Sequence, residues 1–155
     1  MRMPERRCFV ISPIGDEGSE TRKHADDLFD FIVEPAMKEC GIHAYRADQA
    51  SVMGKISDHM FNSILNEDLC IAVLTFYNPN VFYELALAQA ANRPVIIMIE
   101  KGHEIPFDIQ DLRCVYYDFE PRPFKTGVYE EELVKNVEAL KAADFRVKSI
   151  FGNLT

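Results

Sequence analysis

Two unbroken apolar runs, residues 69–74 and 94–99, enclose a segment that opens Asn78-Pro79-Asn80-Val81-Phe82-Tyr83-Glu84-Leu85 and continues rich in alanine. No other feature constrains the fold as strongly. Asn78 suits a helix N-cap, and Pro79 suits the first helical position, where its missing N–H would be unpaired anyway. Strands that are apolar along their whole length are covered on both faces, so this strand–helix–strand unit reads as a parallel crossover.

The same alternation runs through the chain. Cys8-Phe9-Val10-Ile11 predicts a first buried strand. Ser12-Pro13-Ile14-Gly15-Asp16-Glu17-Gly18-Ser19 follows as a loop dense in turn formers, with Ser19 a fair N-cap. Ala25, Leu28, Ile32 and Ala36 recur at helical spacing over 20–40. Pro35 inside that pattern predicts a kink or break near Val33, and Gly41 a left-handed stop. Residues 42–46 form a second strand and 55–66 a second helix, with Ile56, Met60 and Ile64 on one face. The alanine-rich helix ends near Asn92. Residues 114–117 are a short fifth strand, Pro121, Pro123 and Gly127 mark a loop, and Leu133, Val137 and Leu140 are in phase in a last helix over 129–143. Five strands alternating with helices predict an α/β fold. Its form is a doubly wound, mostly parallel five-stranded sheet in a flavodoxin-like three-layer sandwich, order 2-1-3-4-5. The 155 residues suit a single domain. In that order the switch point lies between strands one and three, where the 12–19 loop and residues 75–80 meet and where ligands bind.

Composition narrows the function classes. The net charge is −8 and no Lys/Arg run offers a phosphate-backbone footprint, which argues against a nucleic-acid polymer as partner. No apolar run reaches the ~18 residues of a membrane span. The start, Met1-Arg2-Met3-Pro4-Glu5-Arg6-Arg7, leads into a strand without a signal-peptide core, and Cys8, Cys40, Cys70 and Cys114 read as buried free thiols, so a cytoplasmic location is expected. Without CxxC spacing or clustered histidines, no metal site is expected.

Glu84 is the candidate for chemistry. With Val81, Leu85 and Ala88 as the buried stripe, ~100° per residue places Glu84 about 60° from Val81, at the border of the face on the sheet. An unpaired charge there is costly. Either it is a functional acid or it is satisfied by Arg46, Arg93 or a backbone amide. Ser12, Ile14 and Gly15 can cradle a ribose or phosphate through backbone amides, or be ordinary turn residues. Asp48 can accept from sugar hydroxyls or cap the following segment, and Asn80 can hold a hydroxyl or bond the helix's own amides. Tyr77 and Tyr83 are stacking candidates. His24, His43, His59 and His103 are scattered and read as surface or packing residues.

Phe9-Val10-Ile11-Ser12-Pro13-Ile14-Gly15, Arg46-Ala47-Asp48 with Gly54 and Ile56, and above all residues 78–85 resemble the nucleoside 2-deoxyribosyltransferase-like superfamily, relatives of the Toll/interleukin-receptor (TIR) fold. The resemblance spans about residues 8–118. It implies that Glu84 attacks, or stabilises charge at, the sugar carbon of an N-glycosidic bond. It also implies that Ser12 and its loop line the sugar or phosphate pocket, with Asp48 a ligand contact. Where the family often has an aspartate near the end of the third strand, this chain has Val73 followed by Leu74-Thr75-Phe76, and Ala86 stands where glycine usually follows Glu-Leu. Phe76 and Tyr77 make the crevice more aromatic, which suits a purine or nicotinamide. The expected activity is N-glycosidic cleavage or transfer on a nucleoside, nucleotide or NAD-like molecule. No cofactor is needed, and NAD would be a substrate. The alternative is a catalytically silent TIR-like nucleotide-sensing or assembly module. By the same resemblance a homo-oligomer is expected, with the aromatic-rich segment 107–124 completing a neighbour's pocket.

Overall fold

The structure is a computed structural model that describes residues 5–47, 56–109, 112–119 and 127–151. Five parallel strands, β1 (Arg6–Ile11), β2 (Ile42–Arg46), β3 (Leu69–Val73), β4 (Val95–Glu100) and β5 (Arg113–Tyr117), form one sheet in the order β2-β1-β3-β4-β5. The expected doubly wound topology is thus observed.

The strand sequences explain why helices cover both faces. Along β3, Leu69, Ile71 and Val73 enter one core while Cys70, Ala72 and Leu74 enter the other. On β4, Ile96 and Met98 alternate in the same way with Val95, Ile97 and Ile99. Side chains of successive strand residues point to opposite faces, so an all-apolar strand needs a layer on each side. One layer contains α1 (Glu20–Leu28), α2 (Glu34–Glu39) and α5 (Gly127–Ala142). The other contains α3 (Ile56–Asn66) and α4 (Pro79–Ala90), seated through Ile64, Val81, Leu85 and Ala88.

The break foreseen at Pro35 is a π turn. Proline has no N–H for the carbonyl four residues back, and its ring crowds that carbonyl. Between α1 and α2, residues Phe29–Val33 widen into a π-helix, and the Glu34 N–H reaches back to the Phe29 carbonyl. Phe29, Ile32 and Val33 stay buried, so the widened turn preserves the apolar face. Ser19 caps α1 by accepting from the Arg22 N–H (3.1 Å), and Gly41 follows α2 with φ +73°. All four cysteines are free. Residues 110–111 and 120–126, and with them much of the aromatic 107–124 segment, lie outside the described residues, whereas Phe107 is 83% exposed.

Ile71 is fully buried at the centre of β3, whereas Leu65 on α3 is 54% exposed. Ile71→Ala is expected to cost about 2–5 kcal/mol of unfolding free energy and Leu65→Ala under about 0.5 kcal/mol, read from urea midpoints at unchanged slope.

Candidate active site

At the carboxyl end of the sheet, neighbouring strands β1 and β3 send the chain to opposite faces. β1 leads through the 12–19 loop into α1, and β3 leads through residues 74–78 into α4 on the other side. This divergence opens a crevice between the two connections, the place where doubly wound sheets bind ligands.

The α4 wall is built by its cap. Asn78 accepts from the Asn80 N–H (2.8 Å), and Pro79 begins the helix. Val81, Leu85 and Ala88 are buried on the sheet. Glu84 lies beside that stripe, half-buried, and makes no hydrogen bond or ion pair among the described residues. Burial alone pushes its carboxyl up to about 7. Glu84 sits in the second turn, beyond the unpaired amides that concentrate the helix's positive end, so desolvation prevails. The cations that could have neutralised it are engaged elsewhere. Arg46 pairs with Asp26 (2.8 Å) and lies over the Phe29 ring, and Arg93 donates to the Glu67 carbonyl.

Asn80 and Glu84 are four residues apart, so they share one side of α4. Tyr83 is 58% exposed on the side turned away from the sheet, about 160° from Val81 by helical geometry, and the structure does not bring it to the crevice. Tyr77 belongs to the opening but has a structural task. Its hydroxyl donates to the Glu104 carbonyl (2.8 Å) and accepts from the Glu104 N–H (2.9 Å), strapping the 101–106 segment to the end of β3. Its backbone is left-handed at φ +50°, an uncommon state for a bulky residue that this double bond helps to hold.

The β1 loop is shaped by glycine and by one arginine. Gly15 has φ +72°, and a Cβ there would meet Ser19 Oγ at 2.8 Å and Thr21 Cβ at 2.9 Å. The Arg22 guanidinium holds the carbonyls of Ile14 and Gly15, each at 3.3 Å. With those carbonyls turned to Arg22, the amides of Ile14 and Gly15 have no protein acceptor among the described residues. Ser12 donates weakly to the Pro13 carbonyl (3.3 Å) and is only partly buried. Asp48, with Gly54, lies outside the described residues.

A buried polar network was missed in the sequence. Tyr117 at the end of β5 is fully buried, and its hydroxyl lies 2.5 Å from His24 Nε2 and 2.6 Å from Thr75 Oγ1. Thr75 Oγ1 accepts from the Glu100 N–H (3.1 Å), and the Glu100 carboxylate lies 3.6 Å from His24 Nδ1. One assignment satisfies every group. Thr75 donates to Tyr117, Tyr117 donates to a neutral His24, and the Nδ1–H of His24 faces Glu100. Burial lowers the His24 pKa, which favours that neutral form. Phe76, 42% exposed, packs in a T-shaped arrangement with His24 at 4.9 Å, with Phe119 on the same imidazole at 5.1 Å. The ends of β3, β4 and β5 are thereby locked to α1 beside the crevice. His24 carried no distinguishing signal in the sequence, because its partners lie up to 93 residues away. Among the described residues no cluster of three or more His, Cys, Asp or Glu could hold a metal ion, and no helix is long and apolar enough to cross a membrane.

No protein-family model matches the chain, and no curated protein matches its sequence. Among solved structures it is similar to a CMP N-glycosidase of Clostridium botulinum, with 17% identity over 86% of this chain and 99% of that one and a TM-score of 0.49. It is also similar to a 2-deoxyribosyltransferase from the psychrotolerant bacterium Bacillus psychrosaccharolyticus. That match has 17% identity over 92% of this chain and 98% of that one, with a TM-score of 0.55. Over nearly its whole length, therefore, the chain shares its fold with the 2-deoxyribosyltransferase.

Proposed function

We propose that the chain cleaves or transfers the N-glycosidic bond of a nucleoside, nucleotide or NAD-like dinucleotide, with Glu84 as the reacting carboxylate. The observation that carries this reading is a half-buried glutamate, without a partner among the described residues and with a carboxyl pushed up to about 7, at the border of the helix that walls the switch-point crevice. Such a group lowers fold stability when ionised, and a structural ion pair would not leave it alone. The motif resemblance of residues 78–85 and the fold shared with a 2-deoxyribosyltransferase point the same way.

The chemistry fits a lone carboxylate. As the bond to the base breaks, positive charge builds on the sugar ring. Ionised Glu84 stabilises that charge or bonds to the anomeric carbon, and water or a second base then completes the reaction. A dry, half-buried site strengthens this electrostatic effect. The Ile14 and Gly15 amides, without an acceptor among the described residues, supply donors to sugar or phosphate oxygens, Asn80 sits beside Glu84 to orient a hydroxyl, and the half-exposed Phe76 ring offers a face to a base. Asp48 adds an acceptor for sugar hydroxyls, Ser12 lines the sugar end, and Tyr77 limits the crevice through its strap to Glu104. NAD enters as substrate and no cofactor is required. A pocket completed by a second copy of the chain belongs to the same reading.

The direct test is base release from NAD and from a panel of deoxynucleosides and their 5′-monophosphates. The native chain is expected to release base from at least one of them, and Glu84→Gln to slow that release by about 10²–10³-fold or more. No release from any substrate, together with saturable nucleotide binding, would instead identify a silent nucleotide-sensing module.

The pH dependence has a definite sign. Since the ionised form reacts, the rate is expected to climb with pH and level off above about 7. The folded pKa is raised from an ordinary value of 4.5, so the folded state holds the extra proton between these values and stability falls as pH rises through that window. Glu84→Gln removes this loss. Its melting temperature relative to the native chain is expected to rise between pH 4.5 and 7 and to stay higher above it. A Gln variant less stable than the native chain at pH 8 would mean that Glu84 is a structural ion-pair partner.

A further inference from the structure

A cavity of about 460 Å³ opens at the other end of the sheet, where β4 and β5 begin and α4 and α5 end. β4 is 6 residues long, so this cavity lies roughly 20 Å from the crevice. Its charged wall is mainly basic. Among the described residues Arg93, Arg113, Arg146 and Lys148 line it with one acid, Asp108, in a chain whose net charge is −8. Arg113, Arg146 and Lys148 have no acidic partner among the described residues. Arg93 is fixed at the rim by its bond to the Glu67 carbonyl, and its Nε is buried without a hydrogen-bond partner among the described residues.

The rest of the wall is apolar. Val95, Leu112 and Leu140 form the floor, and the segment that follows α5 closes one side with Val147 and Ile150, which are 37% and 52% exposed. Four clustered cations beside one described acid repel one another, and apolar side chains left half-exposed beside them lose burial. One kind of occupant relieves both. We propose that this cavity is a binding site for a small organic anion, an apolar body bearing one carboxylate or phosphate. Its charged end lies between Arg113 and Arg146, with Arg93 and Lys148 adding long-range attraction, and its body lies on Leu112, Leu140 and Ile150. Arginine forks suit both anions, since each offers paired oxygens. The volume matches ligand pockets of ordinary size. This inference does not depend on the reaction at Glu84.

Backbone amide NMR of the intact chain tests it with four probes: phenyl phosphate, benzoate, benzyl alcohol and inorganic phosphate. Phenyl phosphate, benzoate or both are expected to shift the amides of Val95, Leu112, Leu140 and Ile150 saturably at millimolar concentration. Whichever binds more tightly names the anionic group. The variants Arg113→Met and Arg146→Met, both at exposed side chains and so tolerated by the fold, are each expected to weaken binding about tenfold, the size of a hydrogen bond to a charged group. Failure of both organic anions to bind there would overturn the proposal. So would benzyl alcohol binding as tightly as they do, inorganic phosphate matching phenyl phosphate, or variants that bind like the native chain.

Discussion

The central strands β1, β3 and β4 are buried on both faces, and the rest of the molecule follows from that constraint. Each needs a helical layer on either side, and short right-handed crossovers can supply both layers only if the winding reverses at one point in the sheet. The reversal falls between β1 and β3. There the two chains leave for opposite faces, and a crevice opens that no side chain had to be selected to make. Glu84 stands at its border because α4 must place Val81, Leu85 and Ala88 on the sheet, which leaves position 84 at the edge of the seated face.

Two kinds of polar group sit at this end of the sheet, and their difference carries the functional argument. His24, Tyr117, Thr75 and Glu100 are partly or wholly buried and satisfy one another, so they cost little and rigidify the strand ends. Glu84 is also withdrawn from water but is satisfied by nothing among the described residues, and its carboxyl is pushed up to about 7. His24, Tyr117 and Thr75 are thus paired at this end of the sheet, whereas Glu84 has no partner among the described residues. Tyr77, a bulky residue in the left-handed region, and Gly15, which adopts it freely, flank the same crevice.

Most of the scaffold was legible from local pattern. The strands are short apolar runs, the caps Ser19 and Asn78 sit where their side chains can reach amides two or three residues on, and Pro35 announced the irregular turn at Phe29–Val33. The sheet order followed from burial on both faces. The site was legible only in part. Glu84 could be placed by helical phase, but that Arg46 and Arg93 are engaged with Asp26 and Glu67 depends on tertiary distances that spacing does not encode. The His24 network joins residues from α1, β4, β5 and the segment after β3, and the Tyr77 strap spans 27 residues, so neither leaves a local signature. The cationic cavity depends on where the segment after α5 folds, for which the sequence from Lys148 onward offered no periodicity.

The central claim is that Glu84 is a lone, desolvated carboxylate. Carbon-13 NMR titration of the glutamate side-chain carboxyls measures this directly, with the Glu84 signal assigned by its loss in Glu84→Gln. A midpoint of about 7 is predicted. A midpoint near the ordinary value of 4.5 would contradict the account, for it would mean that Glu84 is solvated or paired.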